Sequence, residues 1–131
     1  MIGLDGKQHK FILQSTKRKS RAKSAPHQKA LSLLLEILPG VVIFEEVTLP
    51  GCGLYLDIFL PSISIAIEVH GRQHYEFVPF FHKTKGDFLM SRKRDKDKRQ
   101  WCELNEITLV ELPYDEEETW KSLIASAISQ D

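Results

Sequence analysis

The chain has 131 residues, a single domain's length, with 42% hydrophobic and 27% charged residues, as in ordinary folded proteins. Its 18 basic and 18 acidic residues cancel, which alone argues against a uniformly basic nucleic-acid binder and against an acidic disordered tail. Two cysteines, Cys52 and Cys102, cannot build a disulfide framework. No apolar run approaches the roughly 20 residues of a membrane span, and no signal-peptide core follows Lys7 and Lys10. The expectation is a soluble, cytoplasmic protein with no membrane partner, in the host cytoplasm if phage-encoded.

The zero net charge conceals segregation. Residues 1–30 hold eight Lys/Arg and one acid, net +7; residues 31–80 hold one base and six acids, net −5. Residues 81–100 hold eight bases and three acids, net +5; residues 101–131 hold one base and eight acids, net −7. Two dense basic blocks are what phosphate contacts need, although a solvated tail and a solvated helix face give the same pattern.

In chain order, residues 1–23 read as a basic arm, with one apolar patch at Phe11-Ile12-Leu13. The folded domain is expected over 24–131. Ser24 and Pro26 suit a helix start, and Leu31, Leu34, Leu35 and Leu38 recur at helical spacing until Pro39-Gly40. Val41 to Val47 is strand-like, and Leu49 to Gly53 is a turn. Leu54 to Leu60 and Ile63 to His70 predict a second and third strand. Residues 71–86 form a long aromatic loop, which seals a core edge or an interface, or wedges between bases. A charged helix is expected over 87–104, a strand over Ile107 to Leu112 and a last helix over Glu116 to Ile128. The order α-β-β-β-α-β-α predicts an α/β domain with a mixed sheet.

The third strand alternates. Ile63, Ile65, Ile67 and Val69 share one face, and Ser64, Ala66, Glu68 and His70 the other. The second strand carries one charge, Asp57. With an even connection, Leu60 pairs with Ile63 and Asp57 with Ala66, so that Glu68 is a diagonal neighbour of Asp57 on one face, about 7–8 Å away. An odd connection puts Asp57 on the opposite face. Two carboxylates at that separation suit one divalent ion. Separate edge and rim acids are the structural alternative.

These residues resemble the PD-(D/E)XK, or restriction-endonuclease-like, nucleases. Asp57 stands in for the strand Asp and Glu68-Val69-His70 for the acid–x–Lys, with His70 in the Lys position. Leu49-Pro50-Gly51, Asp57, His70-Gly71, His74 and Arg94-Asp95 also resemble the very-short-patch-repair endonucleases and the E-D-x-H-D phage homing endonucleases. The resemblance covers about two-thirds of the chain. It implies a four-stranded mixed sheet flanked by helices and hydrolysis of DNA phosphodiesters with Mg2+, or Mn2+ as substitute. It implies that Asp57 and Glu68 hold the metal, that His70 or His74 assists proton transfer, and that Asp95 orients that histidine. The family's first helix carries a catalytic Glu; here His27-Gln28-Lys29 occupies the place, and Glu36 lies two turns later. Either His27 or Gln28 substitutes, or the role is absent.

DNA contacts are expected from Lys17, Arg18, Lys19, Arg21, Lys23, Arg72 and Gln73, and from Arg92, Lys93, Arg94, Lys96, Lys98 and Arg99. Phe88, Asp95 and Cys102, seven residues apart, share a helix face. His70 and His74 have zinc-like spacing, but two distant cysteines and no ligand motif leave little for a zinc site. The competing readings are a non-catalytic DNA-binding module on the same fold and a protein-interaction domain that forms a homodimer.

Overall fold

A computed structural model describes residues 1–11, 25–50, 53–71 and 84–129. Within them the order is α1 (Ala25–Ile37), β1 (Phe44–Thr48), β2 (Tyr55–Leu60), a 3-10 turn (Pro61–Ile63), β3 (Ile65–His70), α2 (Lys85–Leu104), β4 (Thr108–Pro113) and α3 (Trp120–Ser129). This is the expected α-β-β-β-α-β-α order, a mixed α/β domain. The sheet runs β1-β2-β3-β4, with β1 and β3 antiparallel to β2 and with β4 parallel to β3. A parallel neighbour needs a crossover, and α2 provides it.

Each sheet face has its own core. On one face Ala30 and Leu34 of α1 and Trp120, Ile124 and Ala127 of α3 cover Ile58, Leu60, Ile65, Ile67, Val110 and Leu112. Burying one such aliphatic side chain contributes roughly 1.5–3 kcal/mol. On the other face Trp101 and Cys102 of α2 cover Val47, Leu56, Phe59 and Ala66. The alternation expected in β3 holds, because Ile65, Ile67 and Val69 belong to the first core and Ala66 to the second.

The β2–β3 connection corrects the expected register. Pro61 starts a 3-10 turn, and Ser64 closes it in the left-handed region at φ 53° with its N–H on the Pro61 carbonyl. Four residues therefore separate the strands. Leu60 pairs with Ile65 rather than Ile63, and Phe59 rather than Asp57 pairs with Ala66.

α2 is longer at its start than its charge pattern predicts. Thr84 and Asp87 form a reciprocal capping box, each side chain accepting the other's backbone N–H at 3.1 and 3.3 Å. The helix ends at Asn105, followed by Glu106 in the left-handed region at φ 56°.

The first eleven residues are not a free arm. Ile2 bridges Gln8, and Asn105 holds Ile2 through both its amide groups, at 2.7 and 2.8 Å. Met1, Leu4 and Phe11 pack on the α2-side core, with the Phe11 ring 6.0 Å from Phe59 and 5.9 Å from Trp101. The basic stretch with Lys17, Arg18, Lys19, Arg21 and Lys23 lies outside the described residues, as does the Ser24 cap.

Candidate functional site

On the α2 side of the sheet the apolar rows end in charge. β2, β3 and β4 each bring one acid to the same level: Asp57 stands opposite Glu68 in the β2–β3 register, and Glu68 pairs with Glu111 across β3–β4. The backbone ladder of β2 and β3 ends at Ile58 and Ile67, one residue short of the acids; beyond them the side chains take over. The Asp57 N–H donates to Glu68 Oε2 at 3.2 Å, and the Val69 N–H donates to Asp57 Oδ2 at 3.1 Å. Two carboxylates thus fill the fork between the strands. They are direct opposites, closer than the diagonal neighbours expected from the sequence.

Lys98 reaches this fork from α2. Its Nζ lies 2.7 Å from Glu68 Oε1, with 18% of the Lys98 side chain and 3% of the Glu68 side chain exposed. The contact is a short ion pair, largely withdrawn from water. α2 presents Ser91, Asp95, Lys98 and Cys102 inward at helical spacing. Lys98, expected on a DNA-facing surface, is therefore part of the site.

Burial and the neighbouring Asp57 charge push the Glu68 carboxyl well above its ordinary range, with Lys98 opposing them. Burial also works against an ionised Asp57, but its bond with Glu68, the Lys98 charge and the Val69 N–H hold it below the usual carboxylate range. The two carboxyls act on each other's titration, with Glu68 pushed up and Asp57 held down. Lys98 loses solvation by burial, yet Glu68, Asp57 and Asp95 hold its ammonium above the ordinary lysine range.

His70 follows Glu68 on the same face, about 7 Å along the strand. It is buried, and its Nδ1 lies 3.2 Å from Glu111 Oε2. Glu111 also receives the Arg99 guanidinium on both oxygens, from Nε and, at 2.7 Å, from Nη2. Burial and the Asp95 charge raise the Glu111 carboxyl; Arg99 and His70 outweigh them and hold the group below its ordinary range. Arg99, expected to face DNA, is thus engaged with the sheet.

His27 is buried near the start of α1, with Nε2 2.9 Å from Glu45 Oε1 of β1, and its charge is felt at Asp57. Gln28 points to the exposed side of α1, and Glu36 is exposed two turns later. The acid that meets His27 therefore comes from β1. Glu46, opposite Asp57 in the β1–β2 register, holds a left-handed φ of 49°. A non-glycine residue there stores backbone strain beside the fork.

Asp95 is buried and acts electrostatically on Lys98 and Glu111. Arg92, Lys93, Arg94 and Lys96 are exposed, with Arg92 stacked 5.8 Å over the Phe88 ring. His74, Arg72, Gln73 and Cys52 lie outside the described residues. Among the described residues no three His, Cys, Asp or Glu side chains converge as a ready-made metal cage. Glu45 and Glu111 were not singled out in the sequence. Glu111 carries the signal that marked Asp57: one acid between apolar neighbours, here Val110 and Leu112, in a strand. Among the described residues no helix is long and apolar enough to cross a membrane.

No family model matches the chain, and no solved structure matches it. It is similar to three viral proteins. Uncharacterized protein 307L of Invertebrate iridescent virus 6 is 43% identical over 62 residues, 47% of this chain and 32% of that protein. Uncharacterized protein 033L of Invertebrate iridescent virus 3 is 41% identical over 64 residues, 49% of this chain and 33% of that protein. Uncharacterized protein 094L of Frog virus 3 (isolate Goorha) is 45% identical over 65 residues, 49% of this chain and 42% of that protein. The matched segment thus spans well under half the length of these relatives.

Proposed function

We propose that this chain is a metal-dependent deoxyribonuclease of the restriction-endonuclease-like kind, cutting or nicking a DNA phosphodiester. The observation that carries the reading is the fork: a half-buried carboxylate, Asp57, directly opposite a buried one, Glu68, where the β2–β3 ladder parts, with the Lys98 ammonium against Glu68. Carboxylates are costly to bury side by side, and folds that do so use the charge for something.

The donor set fits magnesium or manganese. Such ions take hard oxygen ligands and are held by one or two carboxylates, with waters and substrate phosphate completing the shell. Asp57 and Glu68 would hold the ion, which when bound supplies Lewis acidity to the scissile phosphate. The rest falls to the chain's own groups. Lys98 offsets the Glu68 charge, His70 brings an imidazole to the same face, and exposed Arg92, Lys93, Arg94 and Lys96 offer phosphate contacts within the two turns before Lys98 on α2.

A non-catalytic DNA-binding module on the same fold is the second reading. It is favoured by the Lys98–Glu68 pair, which already compensates one of the two carboxylates, and by the absence of an acid at His27-Gln28-Lys29.

The test is cleavage of duplex, nicked, mismatched, branched and single-stranded DNA with magnesium or manganese, wild type beside Asp57→Asn. The nuclease reading expects ion-dependent products from the wild type and none from a folded Asp57→Asn protein. Salt-sensitive DNA binding without products on any substrate supports the second reading and removes the first.

A further inference from the structure

The resemblance implies that Asp95 orients a histidine of the site, His70 or His74. His70 also meets an acid that the resemblance does not include. His70 Nδ1 meets Glu111 Oε2 at 3.2 Å, and Glu111 is in turn held on both oxygens by Arg99. The three side chains come from three elements, β3, β4 and α2, so the chain of contacts ties the sheet to the crossover helix. The backbone holds it in register as well: β3 and β4 pair from Ile65–Thr108 to His70–Pro113, and the Tyr114 N–H donates to the His70 carbonyl at 2.9 Å.

We propose that Glu111 is the positioning residue for His70, locking it in the tautomer that carries its proton on Nδ1, with Arg99 fixing Glu111. An ionised carboxylate only accepts hydrogen bonds, so its imidazole neighbour must present N–H towards it. Glu111 stays ionised because Arg99 donates to both its oxygens, a planar two-point contact that a lysine does not reproduce. Nε2 then holds the lone pair, the form of imidazole that can take a proton from water or a leaving group. The imidazole is nearly inaccessible, with 5% of its side chain exposed, so its ring orientation is set by these partners rather than by solvent.

The assignment of a chemical role to His70 rests on the nuclease reading; the tautomer lock does not. The experiment separates them. Nitrogen-15 NMR of the metal-free protein at neutral pH reads the His70 tautomer in wild type, Glu111→Gln, Glu111→Ala and Arg99→Lys proteins, and single-turnover cleavage is measured on the same samples. The expected result is an Nδ1–H tautomer in wild type and in Glu111→Gln, whose amide oxygen still accepts. Glu111→Ala loses the Nδ1–H preference, and its cleavage rate falls about 10–100-fold with KM little changed, the scale of losing an orienting partner. Arg99→Lys shows an intermediate effect on both. An unchanged Nδ1–H tautomer in folded Glu111→Ala overturns the proposal; a lost tautomer with an unchanged cleavage rate supports the lock and removes the chemical role of His70. If the wild type cuts no DNA, the nuclease reading falls, while the spectra still decide whether Glu111 locks His70.

Discussion

Replacing Lys98 with Met tests the charge balance of the fork most directly. The methionine keeps most of the apolar stem and removes the ammonium. With 18% of Lys98 and 3% of Glu68 exposed, the pair is nearly out of water. Removing one partner of a buried pair costs about 3–5 kcal/mol when the other must stay charged. Glu68 has an escape, since burial and Asp57 already favour its protonated form. Taking up a proton caps the loss, so we expect about 2–3 kcal/mol near pH 8 and under about 1 kcal/mol near pH 4. The sign follows from linkage. A carboxyl raised in the folded state contributes stability below its unfolded pKa and loses it as pH rises through the folded value. Lys98 moderates that loss, so the Lys98→Met protein falls away more steeply towards alkaline pH. Urea unfolding followed by circular dichroism should show a midpoint about 1–2 M lower at pH 8. Adding Glu68→Gln should recover much of it. Equal destabilisation at pH 4 and pH 8, or none at either, would refute the argument.

Other expectations follow from single contacts. Asp57 and Glu111 are held below their ordinary range, so the stability they contribute is present above about pH 4 and is lost on further acidification, opposite in sign to Glu68; Asp57→Asn should flatten the acid limb of a stability–pH curve. Glu106→Gly should stabilise the protein by about 1 kcal/mol, because φ 56° suits glycine at the end of α2; a lower melting temperature would argue against it. Phe11→Ala should cost about 2 kcal/mol, less than the 3–5 of a fully buried ring, and should shift Trp101 emission to the red; unchanged emission would mean that the ring does not shield the indole. Under the metal reading, magnesium should raise the melting temperature of Lys98→Met more than that of the wild type, since a cation then enters where one was removed.

The element order was legible because each element carries its own signal, leucines at helical spacing in α1 and alternation in β3. The Asp57–Glu68 pairing was legible only in part. Alternation put Glu68 and His70 on one face, but their distance from Asp57 depends on the turn. Pro61 announces that turn, whereas a serine in the left-handed conformation at 64 gives no sign in the sequence, so the register came out two residues short. Lys98 was hidden among similar residues. Six basic side chains crowd 92–99, and only the inward spacing of Ser91, Asp95 and Cys102 distinguishes the one that points to the sheet. The docking of residues 1–11 could not be read at all, because its anchors, Trp101 and Asn105, lie some 90 to 100 residues away in the chain.

Charge by segment needs the same correction as charge by total. The +5 and +7 blocks read as free phosphate-binding surface only while their partners are unknown. In the fold, Lys98 and Arg99 are held by Glu68 and Glu111, and Lys29 of α1 is held by Glu117 at 2.9 Å. Acids from the −5 and −7 segments thus neutralise bases from the other two, across the sheet and between helices. The exposed basic residues of α2 are Lys85, Arg92, Lys93, Arg94, Lys96 and Arg99; Arg99 is held by Glu111, and Lys93 already lies 4.0 Å from Asp97. Each phosphate neutralised contributes about 0.9 to the salt dependence of duplex binding. On the DNA reading, α2 therefore supplies a modest dependence, set by Lys85, Arg92, Lys93, Arg94 and Lys96. A much steeper one would have to come from basic residues elsewhere, with the stretch from Lys17 to Lys23 the nearest source in the sequence. Lys98 and Arg99 serve a different end: they hold the carboxylate row that any chemistry at the fork would use.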